Sequence, residues 1–338
     1  MHMLTIYALF LLKTATIVLA FIIIAVTIVA LASRGKSKSK GKIVTHKLNR
    51  KFEAMKRAFN DIALSDKALK NLNKQSKKIE KKSVKSDDTK KRLFVLNFNG
   101  DIKASQVDAL RQEITTVLLV ATPKDEVVVC LESPGGVVHG YGLAASQLQR
   151  IRNQKIPLTV IVDKVAASGG YMMACVADQI IAAPFAIIGS IGVVMQLPNF
   201  NRLLDKNNIE FEQLTAGEYK RTLTMFGKNT DKAREKVLEE LEEVQVLFKN
   251  FISQHRPQVD INQVATGEHW FATKAIEYHL VDALQTSDDY LLKKSVDHDL
   301  YEITYKTKPT LAQKFGKGVH SLVDGFMTRL WSERYFRT

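Results

Sequence analysis

Ser168 stands in Val165-Ala166-Ala167-Ser168-Gly169-Gly170-Tyr171, where the apolar run Leu158–Val162 gives way to small residues suited to a helix. A serine at a sharp strand-to-helix turn can project its hydroxyl while the next backbone N–H groups meet an incoming carbonyl. That arrangement suits acyl transfer, because charge gathering on a tetrahedral oxygen needs fixed donors beside the nucleophile. A packing turn would use the same small residues, so other groups must be found. Upstream, Glu132-Ser133-Pro134-Gly135-Gly136 follows a second apolar run, Val127–Leu131. Glycines after a buried strand allow positive φ and close approach of a substrate. Sites in open α/β sheets form beyond the carboxyl ends of strands, so the two turns could each offer an N–H to one oxyanion. Phosphate cradling is the competing use of such turns, but neither turn carries a GxGxxG or GKS/GKT signature.

A serine nucleophile needs a base. No histidine lies between Ser168 and His255. His139, just after the first glycine turn, is open to three roles: helix entry, groove lining or base. Lys220, in Thr215-Ala216-Gly217-Glu218-Tyr219-Lys220-Arg221, is the other candidate. A lysine accepts a proton only when neutral, so its pKa must fall several units from about 10.4 through burial and nearby positive charge. Arg221 would supply charge, and Leu223, Met225 and Phe226 apolar cover. Taken alone, Lys220 is one of many lysines and reads more readily as a solvated surface charge.

The elements that would position these groups follow from periodicity. Leu93–Phe98 reads as a strand, and Ser105–Ala121 as a helix with Val107, Leu110, Ile114, Val117 and Leu118 on one face. Val127–Leu131 and Leu158–Val162 are continuous apolar runs of the kind buried on both faces. Tyr141–Arg152 and Gly170–Ala177 read as helices, Gln179–Ala182 as a strand, and Thr230–His255 as the longest helix of the soluble part. Strand and helix alternate, which predicts an α/β domain with a largely parallel sheet. Ala182–Leu197 is apolar but broken by Pro184, Gly189 and Gly192, and reads as core strands and turns.

Charge divides the chain unevenly. Of a net +14, residues 33–92 alone carry 21 Lys/Arg against 6 Asp/Glu. Before them, Thr14–Ala32 offers 19 uncharged residues, about 28 Å of helix and enough to cross a bilayer core. Ala30-Leu31-Ala32 has the small-x-small form of a cleavage site, yet the run is long for a signal peptide, so an anchor is expected. Lysines immediately after a span hold that side in the cytoplasm and meet anionic headgroups. Nucleic acid is not the expected partner, because no aromatic platform or reading helix accompanies the lysines. The expected divisions are an anchor at 1–32, a basic and partly helical tether at 33–91, a catalytic domain at 92–305 and a basic amphipathic tail at 306–338. Phe52, Met55, Phe59 and Ile62 recur at helical spacing within the tether. Cys130 and Cys175 fall in apolar runs without zinc or CxxC spacing, and no metal or cofactor is expected.

From about Leu93 to Ala283 the chain resembles the protease IV or signal peptide peptidase A family of membrane-bound serine proteases, in the form with one anchor, a basic tether and one protease domain. The matching pieces are Ser133-Pro134-Gly135-Gly136, Ala167-Ser168-Gly169-Gly170-Tyr171, Gly189-Ser190-Ile191-Gly192-Val193, Gly217-Glu218-Tyr219-Lys220-Arg221 and Gly267-Glu268-His269-Trp270. The resemblance implies a ClpP/crotonase-like fold of repeated β-β-α units. It makes Ser168 the nucleophile, Lys220 the general base, and the N–H groups of Gly136 and Gly169 the oxyanion hole. Gly135, His139, Gly170 and Ser190 would line the substrate groove. It further implies a homo-oligomeric ring or dome, with a lysine able to reach a neighbouring protomer's serine, at a bacterial inner membrane. The substrates would be peptides or unfolded proteins, including hydrophobic and signal-peptide segments. Two other classes stay open at this point: a crotonase-fold enzyme acting on acyl-CoA, and an inactive membrane scaffold. One position departs from the family pattern. His279 takes the place of a glycine that would cap a helix in the left-handed conformation.

Overall fold

The apolar runs become the centre of a seven-stranded sheet. In the computed structural model, which describes residues 5–7, 9–21, 41–65, 67–71, 74 and 91–307, its order is β1-β10-β2-β3-β4-β6-β9. Here β1 is Lys42–Lys47, β2 Lys91–Asn99, β3 Glu126–Glu132, β4 Leu158–Val162, β6 Gln179–Ala182, β9 Ala283–Leu284 and β10 His298–Lys306. From β10 to β9 every pairing is parallel. Crossovers between parallel strands need helices, and the chain supplies α2 (Val107–Val120) and α3 (Val138–Asn153) between β2, β3 and β4.

Alternation along each strand separates two cores. Phe94, Leu96 and Phe98 of β2, Val127, Val129 and Leu131 of β3, and Leu158, Val160 and Val162 of β4 join the larger core. That face is covered by α2, α3, α4 (Gly169–Ala174) and part of α6 (Asp231–His255). Leu93, Val95, Val128, Ile161 and Ile181 point the other way into a smaller core, with Leu48 and Leu300. Burial on both faces explains why these strands read as unbroken apolar runs.

A second sheet lies at the ends of the first. Its order is β5-β7-β8, with β5 Val165–Ala167, β7 Ile187–Gly189 and β8 His269–Phe271. β5 and β7 are parallel, and β7 and β8 antiparallel. Ser133, just past β3, bridges to Ala166 of β5. The end of β3 is thereby stitched to the strand that leads into Ser168.

The expected boundary at residue 92 moves. The larger compact unit spans Ile43–Tyr305, because β1 adds a strand at the sheet edge and α1 (Leu48–Ala63) follows it directly. Leu48 is buried and Phe52 packs against the smaller core. Asn49 fastens this piece by donating to the carbonyls of Ser295 and His298 and accepting from the Leu300 N–H. The helical spacing of Phe52, Met55, Phe59 and Ile62 is realised in α1, but only its first turns are covered; Met55, Phe59 and Ile62 are exposed. The other unit comprises Met1–Lys42 and Lys306–Thr338. Its described part is helical at 5–7 and 9–21. Among the described residues no helix is long and apolar enough to cross a membrane. The expected span Thr14–Ala32 runs beyond the described residues after 21, and the tail at 308–338 lies outside them.

Candidate active site

Ser168 occupies the single residue between β5 and α4, at φ 52° and ψ −119°. This is a region that L-residues rarely enter, and such strain persists only where the surroundings enforce it. The Ser168 N–H donates to Gly189 O at 2.8 Å, and its carbonyl accepts from Met172 N at 3.0 Å. The turn is therefore held by β7 on one side and by its own helix on the other. Ser168 is half-buried, flanked by buried Ala167, Gly169 and Gly170.

The first glycine turn lies directly against it. Gly135 has φ 88°, and a Cβ there would stand 2.7 Å from both Ala167 O and Ser168 Cβ and 2.8 Å from Gly169 N. Only glycine meets both demands, left-handed backbone and contact with the serine's own residue. Gly169 faces a different restriction: a Cβ would fall inside the ring of Tyr141. Among the described residues the Gly136 N–H has no acceptor, and neither has the Gly169 N–H at the first position of α4. The structure thus brings together the serine and two unpaired amide donors that lie on the two turns singled out from sequence.

The remaining predicted positions are distributed around this turn. Gly170 is buried, with room for a Cβ only 2.5 Å from Ser133 O. Ser190 follows β7 at φ 51°, its N–H donating to Glu268 O at 2.7 Å. His139 is exposed on the first turn of α3 and makes no hydrogen bond to Ser168. After Ser190 the chain runs to residue 200 without regular secondary structure. The N–H groups of Gly192 to Gln196 find no acceptor among the described residues.

Lys220 is placed otherwise than the chemistry of a neutral amine requires. It lies on an excursion from 199 to 229 that contains the short helix α5 (Asn201–Lys206), and it is exposed. Leu223, Met225 and Phe226 do not cover it: Phe226 stacks on Phe200 at 6.1 Å and packs at a tilt against Phe211 at 5.7 Å. Arg221 is exposed as well. Its neighbours Glu218 and Tyr219 turn to α6, Glu218 pairing with Lys232 at 2.6 Å and Tyr219 lying beneath Lys236. Within one chain Ser168 and Lys220 are not hydrogen bonded.

Other nucleophiles are disfavoured by their surroundings. Burial pushes the Cys130 thiol up to about 12 and the Cys175 thiol higher still, so neither forms a thiolate at neutral pH. Among the described residues no group of three or more His, Cys, Asp or Glu could hold a metal ion. Two networks escaped the sequence reading. Arg256, 2% exposed, forks onto Asp282 at 2.8 and 2.7 Å and donates to His279 O at 2.8 Å. His279 is in the left-handed conformation at φ 58°, so the glycine-like geometry is kept and its carbonyl is tied to the buried arginine. The second network joins Ser133, Tyr141 and Asp101 behind the glycine turn. Ser133, close before Gly135-Gly136, was its one sequence signal.

An α/β body with a strained serine between glycine turns suits acyl transfer, and similarity to known proteins narrows the class. The profile of the peptidase family S49 N-terminal region matches residues 2–148, and that of peptidase family S49 matches residues 150–300. The chain belongs to peptidase family S49. Over 326 residues it is 47% identical to the Probable protease SohB of Haemophilus influenzae, covering 93% of this chain and 92% of that one. Over 247 residues it is 56% identical to the Probable protease SohB of Buchnera aphidicola from Acyrthosiphon pisum, with 73% and 74% covered. Within the family it is therefore of the SohB type. Two solved structures of a membrane-bound stomatin-specific protease, one with a substrate peptide, are 17% and 16% identical to it. They cover 61% and 68% of this chain and 85% and 98% of theirs, at TM-scores of 0.41 and 0.42.

Proposed function

We propose that this peptidase is a membrane-anchored serine endopeptidase with a Ser168–Lys220 dyad. The observation that carries the reading is the enforced, strained backbone of Ser168 beside two unpaired amide donors. Ser168 Oγ attacks the peptide carbonyl carbon while Lys220 Nζ, neutral, takes its proton. The oxyanion accepts from Gly136 and Gly169 N–H. Collapse of the tetrahedral intermediate breaks the C–N bond, and the leaving amine takes the proton back from Lys220. Water, deprotonated by Lys220, then attacks the acyl carbon; the bond to Ser168 Oγ breaks and Oγ takes the proton back from Lys220.

Lys220 is exposed in one chain, and a lysine serves as a base only when desolvated, so it needs cover that one chain does not supply. The excursion that carries it is itself apolar and exposed, with Leu203, Ile209, Leu214 and Phe226 open to solvent. This supports a homo-oligomer in which a neighbouring copy buries the excursion and completes the dyad. The unpaired amides of Gly192 to Gln196 suit an unfolded peptide added as a strand. The architecture reads as ClpP/crotonase-like, since a small sheet caps the carboxyl ends of a larger parallel one. The uncharged Thr14–Ala32 and the lysines after it support a bacterial inner-membrane anchor, with the catalytic unit on the cytoplasmic side.

The test is hydrolysis of an unfolded protein by the full chain in detergent or vesicles. Ser168→Ala and Lys220→Ala are each expected to reduce turnover by about 10⁴-fold or more with unchanged folding. A fluorophosphonate should label Ser168 in the wild type. Turnover of acyl-CoA without labelling would instead favour a crotonase-type enzyme, and full turnover by Lys220→Ala would move the base elsewhere, to His139 first.

A further inference from the structure

Behind the glycine turn lies a chain of three hydrogen bonds whose proton order is fixed. Tyr141 Oη donates its one proton to Asp101 O at 2.8 Å, since a carbonyl can only accept. The 2.6 Å bond between Ser133 Oγ and Tyr141 Oη must then be donated by Ser133. Ser133 Oγ in turn accepts from Gly135 N at 3.1 Å. Both side chains are completely buried. Burial also raises the phenol above its ordinary value, which keeps it protonated throughout the neutral range. A Cβ on Gly100 would overlap both hydroxyls, so the chain leaves no room there.

These two residues touch both halves of the oxyanion site. Ser133 holds the N–H of Gly135, the residue before the Gly136 donor. Through its backbone it donates to Val165 O at 2.8 Å and accepts from Ala167 N at 3.0 Å, binding the same turn to β5. The ring of Tyr141 fills the space beside Gly169, the other donor. We propose that Ser133 and Tyr141 are positioning residues that set the separation of the Gly136 and Gly169 N–H groups, a role that rests on reading Ser168 as the nucleophile. Their effect is exerted where negative charge develops, because donors preorganised for the oxyanion act on the transition state more than on bound substrate.

Tyr141→Phe tests this, since it keeps the ring against Gly169 and removes only the hydroxyl. With active sites counted by fluorophosphonate labelling carried to completion, kcat is expected to fall about tenfold with KM within twofold. That is less than the 10²–10³ typical of a lost oxyanion donor. The affinity of a peptide aldehyde should fall in proportion to kcat/KM. Ser133→Ala should behave alike, and the double variant should be no worse than the weaker single one, because both break one chain of bonds. A lowered melting temperature with kcat per labelled site within twofold of wild type, in both variants, would overturn the proposal. Ser168→Ala run alongside separates the two levels. Retained hydrolysis there overturns the nucleophile itself, whereas its loss together with unchanged kcat in Tyr141→Phe overturns only the positioning role.

Discussion

The Ser168 turn and the Lys220 excursion are held in opposite ways. Around Ser168 every close neighbour is constrained: Gly135 by its positive φ and by contact with the serine, Gly169 by the Tyr141 ring, and the serine itself by Gly189 and Met172. The excursion is closed mainly on itself. Phe200 N donates to Met225 O at 2.7 Å, Asn199 donates to the carbonyls of Thr224 and Gly227, and Asn201 donates to that of Phe226. Leu214, 93% exposed, and the rims of Phe211 and Phe226 are left facing water. One half of the site is completed by the fold of a single chain. The Lys220 excursion has a defined local shape without the desolvation that the proposed base would need, and apolar surface of this kind marks an interaction site.

The largest effect should come from the rigid half. Gly135→Ala forces a methyl onto Ser168 Cβ and Ala167 O in a backbone region that alanine avoids. Turnover of unfolded substrate should fall by about 10²–10³, as for a lost oxyanion donor, while sheet content by circular dichroism stays at the wild-type level. A variant with near-normal kcat would show that the turn has slack, and the contrast between the two halves would vanish.

A smaller effect is expected in the exposed half. Leu214→Asp puts a charge on surface that the proposed assembly buries, without touching the core. Activity should then need roughly tenfold more protein to reach half its maximum, about 1.4 kcal/mol of association. Sedimentation would show the oligomer dissociating over the same concentration range. If activity per chain is independent of concentration in wild type and variant alike, the excursion is not covered by another copy.

The same contrast explains what could be read from sequence. The central strands were legible because burial on both faces leaves continuous apolar runs, and the serine and glycine turns because few residues tolerate their backbone angles. The strand Lys42–Lys47 was hidden inside a lysine-rich segment: it is an edge strand, half-exposed, and carries only Ile43, Val44 and Thr45 as a β signal. Composition marked that region as tether, whereas Asn49, through three hydrogen bonds to β10 and the turn before it, makes it part of the larger unit. The Ser133–Tyr141 and Arg256–Asp282 networks join residues 8 and 26 positions apart, and nothing in local periodicity announces a hydrogen bond. The cover proposed for Lys220 was least legible of all. An apolar residue on a loop has the same letter whether it meets water, its own core or another chain.

The smallest effect lies away from both regions, where one buried carboxyl works against stability. Glu113 of α2 is 5% exposed, and burial raises its pKa although it accepts from Tyr305 N at 2.7 Å. Between the ordinary carboxylate pKa and the raised folded value, the folded state binds more protons than the unfolded one. Stability therefore falls as pH rises through that window, and the penalty is fully present above it. Glu113→Gln keeps an acceptor for Tyr305 and removes the charge, so the variant should be more stable at pH 7, by up to about 1 kcal/mol. Its advantage should shrink as pH is lowered through the window, as followed by urea denaturation at several pH values. An unchanged midpoint at pH 7 would mean that the carboxylate is solvated in the folded chain, and that the larger core admits water at the edge where β10 and α2 meet.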